Sequence, residues 1–224
     1  MTHLYGADLS GWNIITDIKE AAKHMDFVYL KATEGKTNVS KDFAKRREQF
    51  KDLGVPVGAY HFGYFKKGKV KEAIQQAKWF CKHVGLLGLD DLKPVLDVED
   101  ADPGWQTPHS SLIRAFIDQW IEVVENELGT QVMIYTYWGY FKSKIREWLW
   151  DRALWLAAGI SLDKSGIYPS KAEPPKDKLI PGVEYTLLQY TSKAKIPGIR
   201  GRVDFNRVAR ADLSTIMVEE PCLG

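Results

Sequence analysis

The sequence has little of the chemistry that would cross-link or anchor a chain. Its 224 residues include only two cysteines, and the spacing of Cys81 and Cys222 fits neither a metal site nor a disulfide framework, which favours free thiols. The five histidines form no pair with metal-ligand spacing. No apolar run approaches the roughly 18 residues of a membrane span. The net charge of +2 is too small to indicate nucleic-acid binding. We therefore expect no metal or other cofactor, no membrane partner and no nucleic acid.

What is present is a series of short strand-like segments. Eight apolar or alternating runs can be marked, and eight strands close a barrel. The runs are Tyr5 to Leu9, Phe27 to Ala32, Val55 to Phe62, Pro94 to Val98, Gln131 to Thr136, Leu154 to Ala158, Tyr185 to Tyr190, and Gly201 to Phe205.

Helical patterns separate the early runs, so the sequence predicts an α/β fold with a parallel sheet. The predicted helices are Asp17 to Met25, Ser40 to Leu53, Val70 to Val84 and Ser110 to Leu128. After the sixth run, residues 159–182 are interrupted by four prolines and are predicted to lack a long helix. These patterns predict a single irregular TIM-like barrel of the (β/α)5(β)3 type over residues 1–210. Residues 211–224 are predicted to be a tail or the start of a linker.

One run ends in a pair of carboxylates that is central to the functional prediction. Asp97 and Glu99 are two residues apart, so in an extended strand they point the same way, with Cα atoms about 6 to 7 Å apart. Acid-catalysed cleavage of a glycosidic bond uses such a pair. The alternative is a solvated acidic turn, which Asp100 and Asp102 would extend. Both interpretations remain open on this motif alone.

Reacting groups of parallel barrels lie at the carboxyl ends of the strands, so the residues there are candidates for the site. These are Asp8, Glu34, Tyr60, His61, Asp97, Glu99, Tyr135, Trp155, Gln189 and Asp204. Four of the carboxylates would share one mouth, and crowded negative charge raises the pKa of at least one of them. Glu99 is the predicted proton donor, because it is the outer member of its pair and has the longer side chain.

Several of these candidates also have a structural interpretation. Asp8 could cap a following helix. His61 could be a hydrogen-bonded core histidine, and Glu34 could form a salt bridge with a nearby lysine. The aromatic candidates could be core residues or platforms for sugar rings: Tyr60, Tyr135 and Trp155.

With these residues identified, the chain resembles glycoside hydrolase family 25, the Chalaropsis-type lysozymes of phage endolysins, bacteria and fungi. The similarity runs from Tyr5 to about Arg207 and is carried by the joint order of several motifs. They are Ala7-Asp8-Leu9-Ser10, Phe27 to Gly35, Gly58-Ala-Tyr60-His61-Phe62, Pro94-Val-Leu-Asp97-Val98-Glu99, Ile134-Tyr135-Thr136, Leu154-Trp155-Leu156, Gln189-Tyr190-Thr191 and Gly201-Arg-Val-Asp204-Phe-Asn206.

The resemblance implies a muramidase that hydrolyses the β-1,4 bond between N-acetylmuramic acid and N-acetylglucosamine in peptidoglycan. It implies Glu99 as general acid, Asp97 as its partner, and Asp8 and Asp204 as further acidic groups of the site. It also implies retention of configuration, either with the 2-acetamido group of the substrate as nucleophile or with Asp97 in that role. The predicted groove residues are Tyr60, His61, Tyr135, Trp155, Gln189 and Glu34.

The chain departs from relatives at Leu188, where tryptophan is common, and after Trp155, where the sequence Leu-Ala-Ala is less polar than usual. Glycan preference is therefore not predicted. No secretory leader is recognisable at the N-terminus. This absence predicts a phage lysin that accumulates in the host cytoplasm and reaches the wall after pore formation, with a separate wall-binding module if the chain continues. A metal-dependent deacetylase and a non-catalytic glycan-binding barrel are the alternatives.

Overall fold

The computed structural model describes residues 3–65, 70–100, 109–145, 152–170, 183–210 and 212–219. Its strands are β1 (Tyr5–Leu9), β2 (Ile14–Ile15), β3 (Phe27–Glu34), β4 (Asn38–Val39), β5 (Val57–Phe62), β6 (Val95–Asp97), β7 (Met133–Tyr137), β8 (Leu154–Ala157), β9 (Leu187–Ala194), β10 (Ile199–Arg200) and β11 (Val203–Val208). Its helices are α1 (Ile18–Ala22), α2 (Phe43–Asp52), α3 (Lys71–Val84), α4 (Ser110–Leu128) and the short α5 (Trp138–Tyr140), which a π-helical turn continues (Phe141–Ile145).

Eight strands form a closed barrel in the order β1, β3, β5, β6, β7, β8, β9 and β11, with β11 pairing back to β1. Each of the eight predicted runs overlaps one of these strands. The first five barrel strands are each followed by a helix, whereas residues 152–170 and 183–210 contain none. The predicted irregular (β/α)5(β)3 barrel is therefore confirmed.

The prediction of a fully parallel sheet is wrong for the last strand. Strand β11 runs antiparallel to both of its neighbours, β9 and β1. The reason is the short connection: only residues 195–202 separate β9 from β11, and a parallel crossover needs a dozen or more residues. The beginning of β11 therefore lies at the same end of the barrel as the carboxyl ends of the other strands.

The helices begin and end close to the predicted positions because their caps are encoded locally. Asp17 caps α1, its side chain accepting a hydrogen bond of 3.0 Å from the amide of Glu20. Helix α4 ends at Gly129, whose φ of 67° is the left-handed conformation that glycine adopts without a Cβ clash. The apolar face of α4 is buried at Phe116, Trp120 and Val124.

Side chains inside the barrel form a closed apolar layer near the amino ends of the parallel strands. Phe27 and Tyr29 of β3 lie in this layer, which is nearly inaccessible to solvent. Room for these rings is made by glycines on the neighbouring strands. A Cβ at Gly6 would lie 2.3 Å from the carbonyl oxygen of Phe27, and one at Gly58 would lie 2.1 Å from the ring of Tyr29. The other buried members of this layer are Leu92, Val95, Met133, Trp155, Leu187, Val208 and Ile216.

Residues 212–219 cover this end of the barrel. Ile216 is fully buried in the apolar layer, and its carbonyl accepts a 2.7 Å hydrogen bond from the amide of Lys93. The amide of Val218 donates to the carbonyl of Asp91, and Glu219 pairs with the buried Lys93. This part of the predicted tail thus packs against the barrel.

Some sequence predictions concern residues outside the described ones, namely Asp102, Cys222 and much of 159–182. Cys81 is a free, buried thiol, as predicted. Within the described ranges no helix is long and apolar enough to cross a membrane.

Candidate active site

A polar pocket of about 200 Å³ opens at the mouth of the barrel, opposite the apolar layer. We call it the mouth pocket. All eight barrel strands contribute lining residues, and two further residues follow strands: Ser10 after β1 and Glu99 after β6. Its lining residues are Asp8, Ser10, Lys31, Tyr60, Phe62, Asp97, Glu99, Tyr135, Trp155, Gln189 and Asp204. The four predicted catalytic carboxylates are therefore brought together, along with four of the six predicted groove residues.

Two of the carboxylates lie on neighbouring strands. Asp8 of β1 is directly opposite Asp204 of β11 in the antiparallel ladder. Asp204 is the second residue of its strand, so it reaches the mouth only because β11 runs in the opposite direction to the others. Burial raises the pKa of Asp204 to about 6.

A chain of hydrogen bonds fixes the carboxylate of Asp8. Asn206 donates to Asp8 Oδ1 at 2.7 Å, and Gln189 donates to the same oxygen at 3.1 Å. The indole of Trp155 donates to Asn206 Oδ1 at 2.8 Å, which sets the amide so that its NH₂ group faces Asp8. Tyr135 donates to Gln189 Oε1 at 3.1 Å. Asp8 is therefore held by two oriented amides and is not a helix cap, since Asp17 has that role.

Asp8 nevertheless has a raised pKa. Burial, and secondarily the charge of Asp204, raise it to about 7, while the hydrogen bonds from Asn206 and Gln189 oppose the rise. This pair of facing carboxylates consequently resists full ionisation near neutral pH.

The second pair is Asp97 and Glu99. Asp97 is only 6% exposed and lies between Phe62 and Tyr135 in the sheet, so it does not belong to a solvated turn. Burial and the charge of Glu99 raise its pKa well above the usual range. Burial, and then the charge of Asp204, raise the pKa of Glu99 to about 7, against a lowering effect of Lys31. This pair therefore retains a proton at a pH at which ordinary carboxyl groups are ionised.

The aromatic candidates form the floor and walls of the mouth pocket. Trp155 is almost completely buried beneath it, with ring centroids 4.9 Å from Tyr29 and 5.0 Å from Tyr135. Tyr60 and Tyr135 are half-buried above this floor. The structure thus gives Trp155 a supporting position, with its N–H committed to Asn206, while Tyr60 and Tyr135 stand in the wall.

The position of His61 does not support its predicted contact with substrate. Side chains alternate along β5, so Tyr60 points into the barrel and His61 points outward. The His61 ring is fully buried, bonded to Thr33 at 2.7 Å and to Gln76 at 3.0 Å, and burial lowers its pKa to about 4. It stacks on Trp120, with ring centroids 5.6 Å apart. It is the hydrogen-bonded core histidine of the alternative interpretation.

Glu34 also lies outside the mouth pocket. It lines a second pocket of about 350 Å³, which we call the side pocket: Ser10, Gly11, Trp12, Lys31, Thr33, Glu34, Asn38, Val39, Ser40, Lys41 and Asp42. Glu34 accepts hydrogen bonds from Lys31 and from the hydroxyl of Tyr64. Burial raises its pKa, but these two bonds outweigh burial and keep it lowered. The predicted salt bridge is therefore present.

Four residues of the site were not among the sequence candidates. Asn206 bonds Asp8, and the mouth pocket is also lined by Ser10, Lys31 and Phe62. Strand alternation contains a signal for Lys31, because Phe27 and Tyr29 precede it on the inward face of β3. The same signal exists for Asn206, which is two residues after Asp204. The described residues contain no group of three or more His, Cys, Asp or Glu arranged to hold a metal ion.

Comparison with known proteins agrees with this geometry. The family described as glycosyl hydrolases family 25 matches residues 7–199. The chain belongs to glycosyl hydrolase family 25. The match extends from β1 to the first residue of β10, so it includes three of the four mouth carboxylates, and only Asp204 lies beyond it.

Relatives within family 25 are distant in sequence. The chain is 26% identical to the uncharacterized protein YegX of Escherichia coli strain K12, over 91% of this chain and 68% of that protein. It is 26% identical to the autolytic lysozyme of Clostridium acetobutylicum over 90% of this chain, yet spans only 54% of that protein. The muramidase structure from Acremonium alcalophilum superposes with a TM-score of 0.72 at 26% identity, covering 94% of this chain and 95% of the other.

Proposed function

We propose that this protein is a muramidase that hydrolyses the β-1,4 bond between N-acetylmuramic acid and N-acetylglucosamine in bacterial peptidoglycan. The observation that carries the proposal is the set of four carboxylates at the mouth of a family 25 barrel, with the pKa of Glu99 raised to about 7. The names of two relatives, an autolytic lysozyme and a muramidase, support the same substrate.

Glu99 donates its proton to the oxygen of the leaving sugar. Its pKa, raised to about 7, leaves a large fraction of Glu99 protonated at neutral pH. Proton donation by a positioned carboxyl group contributes roughly 10²- to 10⁴-fold to rate. Lys31 lies in the same pocket and stabilises the carboxylate that remains after transfer.

Asp97 orients the 2-acetamido group of the sugar, which attacks the anomeric carbon. Among the described residues Asp97 Oδ1 has no hydrogen-bond partner, although it is buried in the pocket wall. A substrate N–H donated to this oxygen favours the ionised form of Asp97. The proton retained by the pair then resides on Glu99, where the reaction needs it. Water, deprotonated by the Glu99 carboxylate, then attacks the anomeric carbon and displaces the acetamido oxygen. The two inversions give retention of configuration without a covalent bond to the protein.

The first experiment is digestion of purified peptidoglycan with the parent protein and with Glu99→Gln, followed by borohydride reduction and mass analysis of released sugars. We expect reduced N-acetylmuramic acid from the parent and none from the variant. Reduced N-acetylglucosamine instead would make the protein a glucosaminidase. No new reducing ends would favour a glycan-binding barrel or a deacetylase.

The mechanism in which the acetamido group is the nucleophile requires an N-acetyl group on the muramic acid. Walls in which the muramic acid lacks its N-acetyl group should be cleaved at least tenfold more slowly than acetylated walls, because the internal nucleophile is missing. Equal rates on both walls would instead support Asp97 as a covalent nucleophile.

We also propose that the protein acts as a lysin released from the host cytoplasm, with a separate wall-binding module if the chain continues. Relatives longer than this chain are compatible with such a module. Bacteria that express the chain should remain intact until their membrane is permeabilised and should then lyse. Lysis without permeabilisation would contradict this route.

A further inference from the structure

The side pocket adjoins the mouth pocket and shares Ser10 and Lys31 with it. The mouth pocket alone measures about 200 Å³, whereas sites that enclose a small ligand commonly measure about 300 to 1,000 Å³. A polymer bound at the mouth must therefore continue beyond it. The side pocket is larger, at about 350 Å³, and it lies on the β3 and β4 side of the same opening.

An exposed tryptophan stands in this second pocket. Trp12 is 91% exposed, and Val39 beside it in the lining is also exposed. Leaving an indole in water forgoes the burial that makes tryptophan stabilising in a core. An indole presented at the edge of a cleft offers a flat apolar surface, to which the C–H face of a sugar ring is complementary in shape and polarity.

The turn that carries Trp12 is held in place before any ligand binds. The guanidinium of Arg46 donates to the carbonyl of Ser10 at 2.7 Å and to the carbonyl of Asn13 at 2.8 Å. The amide of Ser10 also donates to Asn13 Oδ1 at 2.7 Å. Because the backbone around Trp12 is already ordered, binding there costs little loop entropy.

The carboxylates of the side pocket do not favour a cationic ligand. Glu34 is paired with Lys31, and Asp42 is paired with Arg46 at 3.1 Å. Both lining carboxylates thus have cationic partners, so neither is left to attract an ammonium group. The other charged lining residue, Lys41, is an exposed cation, so the lining suits hydroxyl and acetamido groups better than the ammonium groups of stem peptides.

We propose that the side pocket is a glycan subsite in which the indole of Trp12 packs against a sugar ring of the strand that is cleaved in the mouth pocket. The inference rests on the proposed function for the identity of that strand. What the inference adds is the location of the subsite and the residue that contacts the sugar. The sugar chain passes over Trp12 on the β3 and β4 side.

The test compares Trp12→Ala with Leu86→Ala, a control in which a 92% exposed apolar side chain outside both pockets is removed. Initial rates are measured on long glycan strands stripped of their peptides and on a tetrasaccharide of two disaccharide repeats. We expect Trp12→Ala to lower kcat/KM on long strands by about fivefold to tenfold through KM, and by less than twofold on the tetrasaccharide. Trp12→Phe should restore most of the loss, and Leu86→Ala should match the parent.

Unchanged kcat/KM on long strands, or an equal loss on both substrates, would overturn the proposal. So would a loss that is seen only when the strands carry their peptides, since that would identify a peptide contact. Binding of stripped strands to Glu99→Gln, with and without Trp12→Ala, gives a readout independent of turnover. If the parent protein hydrolyses nothing, a fivefold weaker affinity caused by Trp12→Ala still supports the subsite, and an unchanged affinity refutes it.

Discussion

The two ends of the barrel interior are built from the same strands but have opposite characters. Strand β6 places Val95 in the apolar layer and Asp97 in the mouth pocket, and β9 places Leu187 and Gln189 in the same two levels. The two members of each pair are only two positions apart in the sequence. The closed end buries apolar area and stabilises the fold, whereas the open end gathers carboxyl groups whose charged forms burial disfavours. Along these strands, residues in the apolar layer thus stabilise the fold, and residues two positions further on form the mouth pocket.

Removing the proton donor at the open end is the strongest test of this difference between the two ends, because it should affect catalysis and not stability. Glu99→Gln should lower kcat on peptidoglycan by about 10²- to 10⁴-fold, because the amide cannot donate the proton. Its thermal unfolding midpoint should not fall. The matched control is Glu122→Gln, which makes the same change on the exposed face of α4 and should leave kcat at the parental value. Equal activity of Glu99→Gln and the parent would contradict the assignment.

The reverse effect is expected at the closed end. Phe27→Ala should lower the free energy of unfolding by about 3 to 5 kcal/mol, since it leaves a cavity among fully buried side chains. The pH dependence of kcat/KM in the folded protein should remain parental. Denaturant unfolding and rate measurements on the same preparation check both statements. A shift of the pH profile would show that the two levels are coupled.

The boundary between the two levels is the bridge from Trp155 through Asn206 to Asp8. Asn206→Leu removes all three hydrogen bonds of the amide, to Asp8, to Trp155 and to the carbonyl of Gly6. It should lower kcat by about tenfold to a hundredfold, because hydrogen bonds to charged groups contribute roughly 1.5 to 3 kcal/mol. Trp155→Phe removes only the indole donor and should have a smaller effect. Of the two variants, only Asn206→Leu removes a hydrogen bond to Asp8, so only that variant should raise the pKa of Asp8 further. Rates measured from pH 4 to pH 9 would show this pKa shift, which simple destabilisation of the fold would not produce.

The smallest expected effect is on stability as pH changes. The folded-state pKa values of Asp8 and Glu99 are raised to about 7, so between about pH 4 and pH 7 the folded protein binds more protons than the unfolded chain. The contribution of these groups to stability is therefore present below about pH 4 and is lost as pH rises through 7. Glu99→Gln should flatten this decline by about 1 kcal/mol, an amount reduced by solvent screening. Urea unfolding at pH 5 and pH 7.5 measures it; a steeper decline in the variant would contradict the raised pKa.

Much of this architecture could be predicted from sequence because it is encoded locally. The eight strand runs and the limits of α4 follow from apolar periodicity and from Gly129. The direction of β11 does not follow from its own residues, since it depends on the number of residues in the preceding connection, 195–202. Strand alternation predicts which side chains face into the barrel and which face outward. Along β5 it predicts that Tyr60 and His61 lie on opposite faces of the sheet.

The position of Glu34 is hard to predict from the sequence for a different reason. The pairing of β3 with β5 shifts between Lys31 and Thr33, which breaks the alternation, so that Thr33 faces outward onto His61. Lys31 and Glu34 consequently share one side of the strand and line the side pocket together. A bulge of this kind leaves no compositional mark in the sequence. Trp12 is not among the sequence candidates for a related reason, because an exposed aromatic residue in a turn belongs to no periodic pattern.

The facing of Asp8 and Asp204 has a consequence for biosynthesis. These residues are 196 positions apart in the sequence and meet only when β11 inserts beside β1. A ribosome must therefore have made almost the whole barrel before the two carboxyl groups can face each other. Every shorter nascent chain lacks one wall of the mouth, and such sequence-distant pairing is the slow part of folding. The complete mouth pocket therefore forms only after Asp204 has been translated.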